Sequence, residues 1–118
     1  MAAILIIEDD ATLQEAYSFM LETAGHDVTS AYNGKEGIAS LRKKVYDIIL
    51  LDLHMPIMDG WDFLTKYKTL KSTKTKVIVF SNMVEPETKK RALRMGAHDA
   101  VLKSSMTPTA MLAMVNEL

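Results

Sequence analysis

Short runs of branched apolar residues, each followed by a turn and then by a segment of helical periodicity, recur along the chain. This alternation restricts the possible folds more than any other feature. Ile4-Leu5-Ile6-Ile7, Ile48-Ile49-Leu50-Leu51, Val77-Ile78-Val79-Phe80 and Ala100-Val101-Leu102 contain no polar position, the pattern of strands covered on both faces. Asp27 to Tyr32 is a weaker strand candidate. Leu13, Ala16, Tyr17, Met20, Leu21 and Ala24 follow the 3–4 spacing of one helix face, with Asp10 placed to cap that helix and Gly25 to end it. Asn33 caps a second helix carrying Ile38, Leu41 and Val45, and Phe63, Leu64, Tyr67 and Leu70 share one face of a third. Lys71 to Lys76 reads as a polar, basic connection. Pro86 suits the first turn of a fourth helix ending near Gly96, and Thr107-Pro108 opens a fifth that buries Met111, Leu112, Val115 and Leu118.

Strands alternating with helices imply an α/β fold, with an open parallel sheet of five strands, right-handed crossovers and helices on both faces. The 118 residues fit one domain spanning 1–118, and 48% hydrophobic residues suffice for its core. A net charge of −1 provides no overall field to attract nucleic acid or an anionic membrane surface. The absence of cysteine excludes disulfides, thiolate catalysis and cysteine-zinc sites. The N-terminal apolar run meets Glu8 too early for a signal peptide, and no run is long enough to cross a bilayer. A cytoplasmic location is expected.

In open parallel sheets the functional crevice lies beyond the carboxyl ends of the strands. Glu8, Asp9 and Asp10 follow the first strand, Asp52 the third, Ser81 and Asn82 the fourth, and Lys103 the fifth. The second strand ends in Tyr32 and Asn33 and belongs at the edge, away from the chemistry. Gathering Glu8, Asp9 and Asp52 is costly unless a pKa rises or a cation is recruited. An all-oxygen set of few carboxylates favours Mg²⁺ (or Mn²⁺). Lys103 adds a compact positive charge and Ser81 a hydroxyl, both suited to a phosphoryl group. A carboxylate acts as nucleophile when the charge on the incoming phosphoryl group is neutralised. Asp10 alone reads as a cap.

Ile4-Leu5-Ile6-Ile7-Glu8-Asp9-Asp10, Leu51-Asp52-Leu53-His54-Met55-Pro56-Ile57-Met58-Asp59-Gly60, Ser81 after an apolar strand, and Lys103 near the end together resemble the CheY-like receiver domains of two-component response regulators. The likeness covers essentially the whole chain, and the Asp-x-x-Met-Pro-x-Met-Asp-Gly segment is its most specific part. The resemblance implies strand order 2-1-3-4-5 and Asp52 as phosphoacceptor. It implies metal binding by Asp9, Asp52 and the main-chain carbonyl of His54, with Glu8 acting through water. Ser81 and Lys103 would hold the phosphoryl group. The donor would be a histidine kinase or phosphotransfer protein, and the output a protein target or a fused effector domain, with no direct contact to nucleic acid or membrane.

Two positions depart from the family pattern. Ala100 occupies the place of a switching tyrosine or phenylalanine, so readout by an aromatic rotamer is not available there. Ser104 stands where proline commonly follows the lysine, and serine has no comparable tendency to be cis. Both changes bear on output and leave the phosphorylation residues intact. An aspartate-nucleophile phosphatase of the haloacid-dehalogenase type would carry a second aspartate where His54 stands. A flavodoxin-like cofactor binder would need a glycine- and serine-rich loop where Glu8-Asp9-Asp10 stand. A receiver-like interaction module that works without phosphorylation is the remaining alternative.

The His54 imidazole reads as a solvated loop group, and His26 and His98 as structural or exposed. Most methionines fall on packing positions. Met83 could shape access to the site, and His54 and Met83 are the positions to alter for a changed phosphorylation lifetime. Lys89, Lys90, Arg91 and Arg94 form a basic run whose default is a solvated helix face, with partner docking as the alternative.

Overall fold

The computed structural model describes residues 1–70 and 74–118. The Leu70 side chain and residues 71–73 of the expected polar connection lie outside the described residues. The elements follow in strict alternation: β1 (Ala3–Ile7), α1 (Ala11–Thr23), β2 (Asp27–Ala31), α2 (Gly34–Leu41), β3 (Ile48–Asp52), α3 (Gly60–Leu70), β4 (Lys76–Ser81), α4 (Pro86–Arg94), β5 (Asp99–Leu102) and α5 (Pro108–Glu117). A single turn of 3-10 helix, Lys103–Ser105, joins β5 to the last connection. All strand pairs are parallel, in the expected order β2-β1-β3-β4-β5.

The unbroken apolar runs are explained by burial on both faces. Successive strand residues point to opposite sides, so Leu5, Ile7, Ile49, Leu51, Val77 and Val79 pack with Ile38, Phe63, Leu64, Tyr67 and Ala92. Ile4, Ile6, Ile48, Leu50, Ile78 and Phe80 pack on the other side with Tyr17, Leu21, Met111 and Val115. Helices α2, α3 and α4 thus cover one face, and α1 and α5 the other.

The local start and stop signals act as their chemistry requires. Asp10, Asn33 and Thr107 each accept a hydrogen bond from the backbone N–H three residues on, which satisfies an otherwise orphaned helix donor. Pro86 and Pro108 sit in first turns, where the missing N–H costs nothing. Gly25 follows α1 at φ +94°, a left-handed conformation that favours glycine. Among the described residues every peptide bond is trans, including the one between Lys103 and Ser104.

Three packing expectations need correction. Val45 is not on a helix face: α2 stops at Leu41, and Val45 lies 69% exposed in the following connection while its neighbour Tyr46 takes the buried place. Ala24 is the exposed C-cap of α1 rather than a core residue, because the helical stripe ends with Leu21. Leu112 and Leu118 are half-buried, since only Met111 and Val115 point straight at the sheet. No helix among the described residues is long and apolar enough to cross a membrane.

Candidate functional site

The carboxyl ends of β1, β3, β4 and β5 converge on one crevice. Register explains the convergence: Ile7 pairs with Leu51, Asp52 with Phe80, and Ser81 with Leu102. The residues after each apolar run are therefore delivered side by side. Glu8 and Ser81 have no exposed surface and Asp52 has 1%. Carboxylate oxygens of Glu8, Asp9 and Asp52 all lie within 4.8 Å of one another. Lys103 Nζ lies 2.7 Å from Glu8 Oε1 and donates to Asp52 Oδ2 at 3.0 Å.

Three carboxylates against one ammonium leave a surplus of negative charge. Burial, then the facing Asp52 carboxyl, push Glu8 up to about 8, against the pull of Lys103. Burial works against the charge on Lys103, but its bonds to Glu8 and Asp52 outweigh burial and raise its pKa. With no metal bound, Glu8 therefore stays largely protonated at neutral pH. Lys103 is the ion-pair partner of Glu8 Oε1, a buried oxygen with no other polar contact among the described residues.

A buried Glu8 oxygen met only by Lys103, together with the surplus charge, fits a divalent cation. Carboxylate oxygens gathered this closely could share one small cation, directly or through a bridging water. The donors are all oxygen, which suits Mg²⁺ or Mn²⁺ and not a thiophilic metal.

The loop from Leu53 to Asp59 closes the crevice beside Asp52. His54 N donates to Asp52 Oδ1 at 3.2 Å, while the exposed His54 side chain stays clear of the carboxylate cluster. Gly60 ends the loop, and a Cβ there would stand 2.7 Å from both the Asp52 carbonyl oxygen and the Leu53 Cα. Only glycine allows this approach. Ile57 holds φ +68° with 80% of its surface exposed, a left-handed conformation unfavourable for a β-branched residue. Ser81 Oγ accepts a long bond from Met83 N at 3.4 Å, and its own proton is given to no described residue.

A family model for the response regulator receiver domain matches residues 4–116. The chain belongs to that family. Among curated relatives, the cell cycle response regulators CtrA of Brucella ovis and Brucella abortus are each 37% identical over 100 residues, which is 85% of this chain and 43% of theirs. The chain thus spans less than half the length of the curated relatives it matches. Among solved structures, the receiver domain of Francisella response regulator 1452 superposes with a TM-score of 0.88 at 26% identity, covering 99% of this chain and 95% of that one. A CheY-like receiver domain protein from Methanospirillum hungatei reaches a TM-score of 0.89 at 26% identity, covering 99% and 92%.

The receiver brings together every side chain expected at the site: Glu8, Asp9, Asp52, Ser81 and Lys103. Ala100 is buried in the same apolar layer as Ala92 and Ala97 and pairs with Val79 of β4. Two supporting residues escaped the sequence reading. Gln14 is buried on the inner face of α1, and its Nε2 lies within 3.0–3.3 Å of the carbonyls of Ile6, Glu8 and Ala31. It thereby ties the ends of β1 and β2 together behind the acidic residues. Tyr17 donates to the Met106 carbonyl at 2.6 Å, anchoring the segment after Lys103. Burial pushes its phenol up to about 12. The signal for Gln14 was its place three and seven residues before Tyr17 and Leu21, on the stripe otherwise filled by apolar residues.

Proposed function

We propose that this receiver, acting over residues 1–118, accepts a phosphoryl group on Asp52 and switches a protein-binding surface in two-component signalling. The observation that carries the reading is the placement of Asp52. It is buried at a strand end, flanked by two further carboxylates, and bonded to Lys103.

The chemistry follows from that placement. An Asp52 carboxylate oxygen attacks phosphorus, the bond from phosphorus to the donor's nitrogen or oxygen breaks, and an acyl phosphate forms on Asp52. The donor would be a phosphohistidine on a kinase or phosphotransfer protein. A Mg²⁺ (or Mn²⁺) ion would be held by Asp9, Asp52 and the His54 main-chain carbonyl, with Glu8 acting through water, and would supply neutralisation of charge on the phosphoryl oxygens. Lys103 transfers its bond from the Asp52 carboxylate to the phosphoryl group, and Ser81 donates its uncommitted hydroxyl proton there. Each new charge-assisted bond exists only in the phosphorylated state, so each biases the conformational equilibrium. With Ala100 in place of an aromatic switch residue, the message leaves through backbone movement of the Ser81–Met83 and Lys103–Ser105 segments. The protein is a phosphoacceptor and not a turnover enzyme, its expected location is the cytoplasm, and its output is a partner protein or a fused effector domain.

The test is phosphotransfer from autophosphorylated histidine kinases and phosphotransfer proteins. Label should move to the wild type and not to Asp52→Asn. Label of equal extent on Asp52→Asn would remove Asp52 from the mechanism. Partner binding identical in both proteins, with no transfer from any donor, would instead indicate an interaction module.

A further inference from the structure

Away from the acceptor crevice, α2, α3 and the loop before α3 enclose a cavity of about 300 Å³ lined by Lys35, Ile38, Ala39, Arg42, Met58 and Lys66. Three of these residues are cationic and none is acidic. Lys35 and Arg42 lie two turns apart on one face of α2, with Ile38 and Ala39 between them. Lys66 joins them from α3, and Met58 from the loop that follows Asp52.

None of the three cations is in an ion pair with a described residue. Of the acidic residues close to them in sequence, Asp62 lies one turn before Lys66 on α3 without pairing to it, and two others bond the backbone. Glu36 Oε1 accepts from Tyr32 N at 2.9 Å, and Asp59 Oδ1 accepts from Asp62 N at 2.9 Å. Three like charges converging on a partly apolar concavity focus a positive field that an anion would relieve.

Size and charge select the ligand class. A volume of about 300 Å³ stands at the lower limit of small-molecule sites, too small for a dinucleotide. A phosphate monoester carries a charge of roughly −1.5 to −2 at neutral pH, which answers three cations better than a single carboxylate does. Arg42 adds a planar fork suited to phosphate oxygens. Ala39 and Met58 offer apolar surface that a bare anion would leave uncovered.

The geometry points to a binding site between α2 and α3 for a small phosphate monoester with an apolar body. Lys35, Arg42 and Lys66 take the phosphate, and Ala39 and Met58 take the body. Such a ligand would also hold the loop after Asp52, because the Met58 carbonyl accepts from Gly34 N at 2.9 Å. The site itself stands whether or not Asp52 is phosphorylated.

Phenyl phosphate is the probe, titrated into ¹⁵N-labelled protein with a chelator present so that the acidic crevice stays unattractive to anions. Saturable amide shifts are expected at Lys35, Ile38, Arg42, Met58 and Lys66. Inorganic phosphate should bind about tenfold more weakly, equivalent to roughly 1.4 kcal/mol, because it leaves the apolar surface bare. The exposed triple variant Lys35→Ala/Arg42→Ala/Lys66→Ala should keep a dispersed spectrum and lose the saturable shifts. Absence of saturation, equal binding of inorganic phosphate, or unchanged binding by the triple variant would each overturn the proposal. Tighter binding of a tetraglutamate peptide than of phenyl phosphate would overturn it too, by reassigning the groove to a protein partner.

Discussion

Burial and charge at single residues give the sharpest expectations. Glu8 is held up to about 8 in the folded protein, against an ordinary value of 4.5. Between those values the folded chain binds more protons than the unfolded one. The stability this contributes is complete below the ordinary value and is lost as pH rises through the folded one. In a chelator, urea denaturation of the wild type should show this decline, and Glu8→Gln, which cannot ionise, should flatten it. Parallel pH profiles for the two proteins would contradict the assignment. Ile57 offers the opposite kind of test. Its left-handed backbone costs about 1–2 kcal/mol for a side chain that is almost fully exposed, and glycine removes that cost at a smaller entropic penalty. Ile57→Gly should therefore stabilise by about 0.5–1 kcal/mol, read as a higher urea midpoint at unchanged slope. Gln14 works by satisfying buried carbonyls, and Gln14→Leu should cost about 1–3 kcal/mol in the same assay.

The elements themselves were largely legible in the sequence, because four of the five strand runs are apolar and four helices open on a capping residue or a first-turn proline. Asp10, Asn33, Pro86 and Thr107-Pro108 marked four helix starts correctly. Side-chain facing was less legible where a helix is short: α2 spans only eight residues, so its stripe gave no reason to stop before Val45. The crevice was legible because parallel register places all strand ends together. Gln14 and Tyr17 were not recognised as supports, since their partners are backbone carbonyls that only the tertiary fold brings near. The basic run on α4 also takes its meaning from neighbours. Lys89 pairs with Asp99 at 3.2 Å, Lys90 contacts Glu87 at 3.6 Å, and the Arg91 guanidinium lies 4.0 Å from the Trp61 ring centre. Three of its four cations thus serve the fold, and the Arg91–Trp61 contact ties α4 to the start of α3 beside the acceptor loop. Arg91→Ala should cost about 0.5–1 kcal/mol and alter the emission of Trp61, the only tryptophan in the chain. Unchanged emission and stability would mean that the two helices are held by packing alone.

At the scale of the whole molecule, one sheet supplies rigidity and its carboxyl edge supplies chemistry. The core strands cannot move without exposing both apolar layers, so under the proposed mechanism a charge change at the edge would act on the loops that follow them. Swinging such an equilibrium from mostly one state to mostly the other takes about 5.5 kcal/mol of differential binding. The proposed phosphoryl contacts to Ser81, Lys103 and a divalent cation would be of that order when summed. All of this depends on acceptor chemistry at Asp52, which intact-protein mass measurement tests most directly. The protein is incubated with acetyl phosphate with and without Mg²⁺, beside Asp52→Asn, and quenched fast enough to catch a short-lived species. A single added phosphoryl group, seen only with wild-type protein and metal, is the predicted result. An adduct on Asp52→Asn, or one of equal extent without metal, would contradict the account.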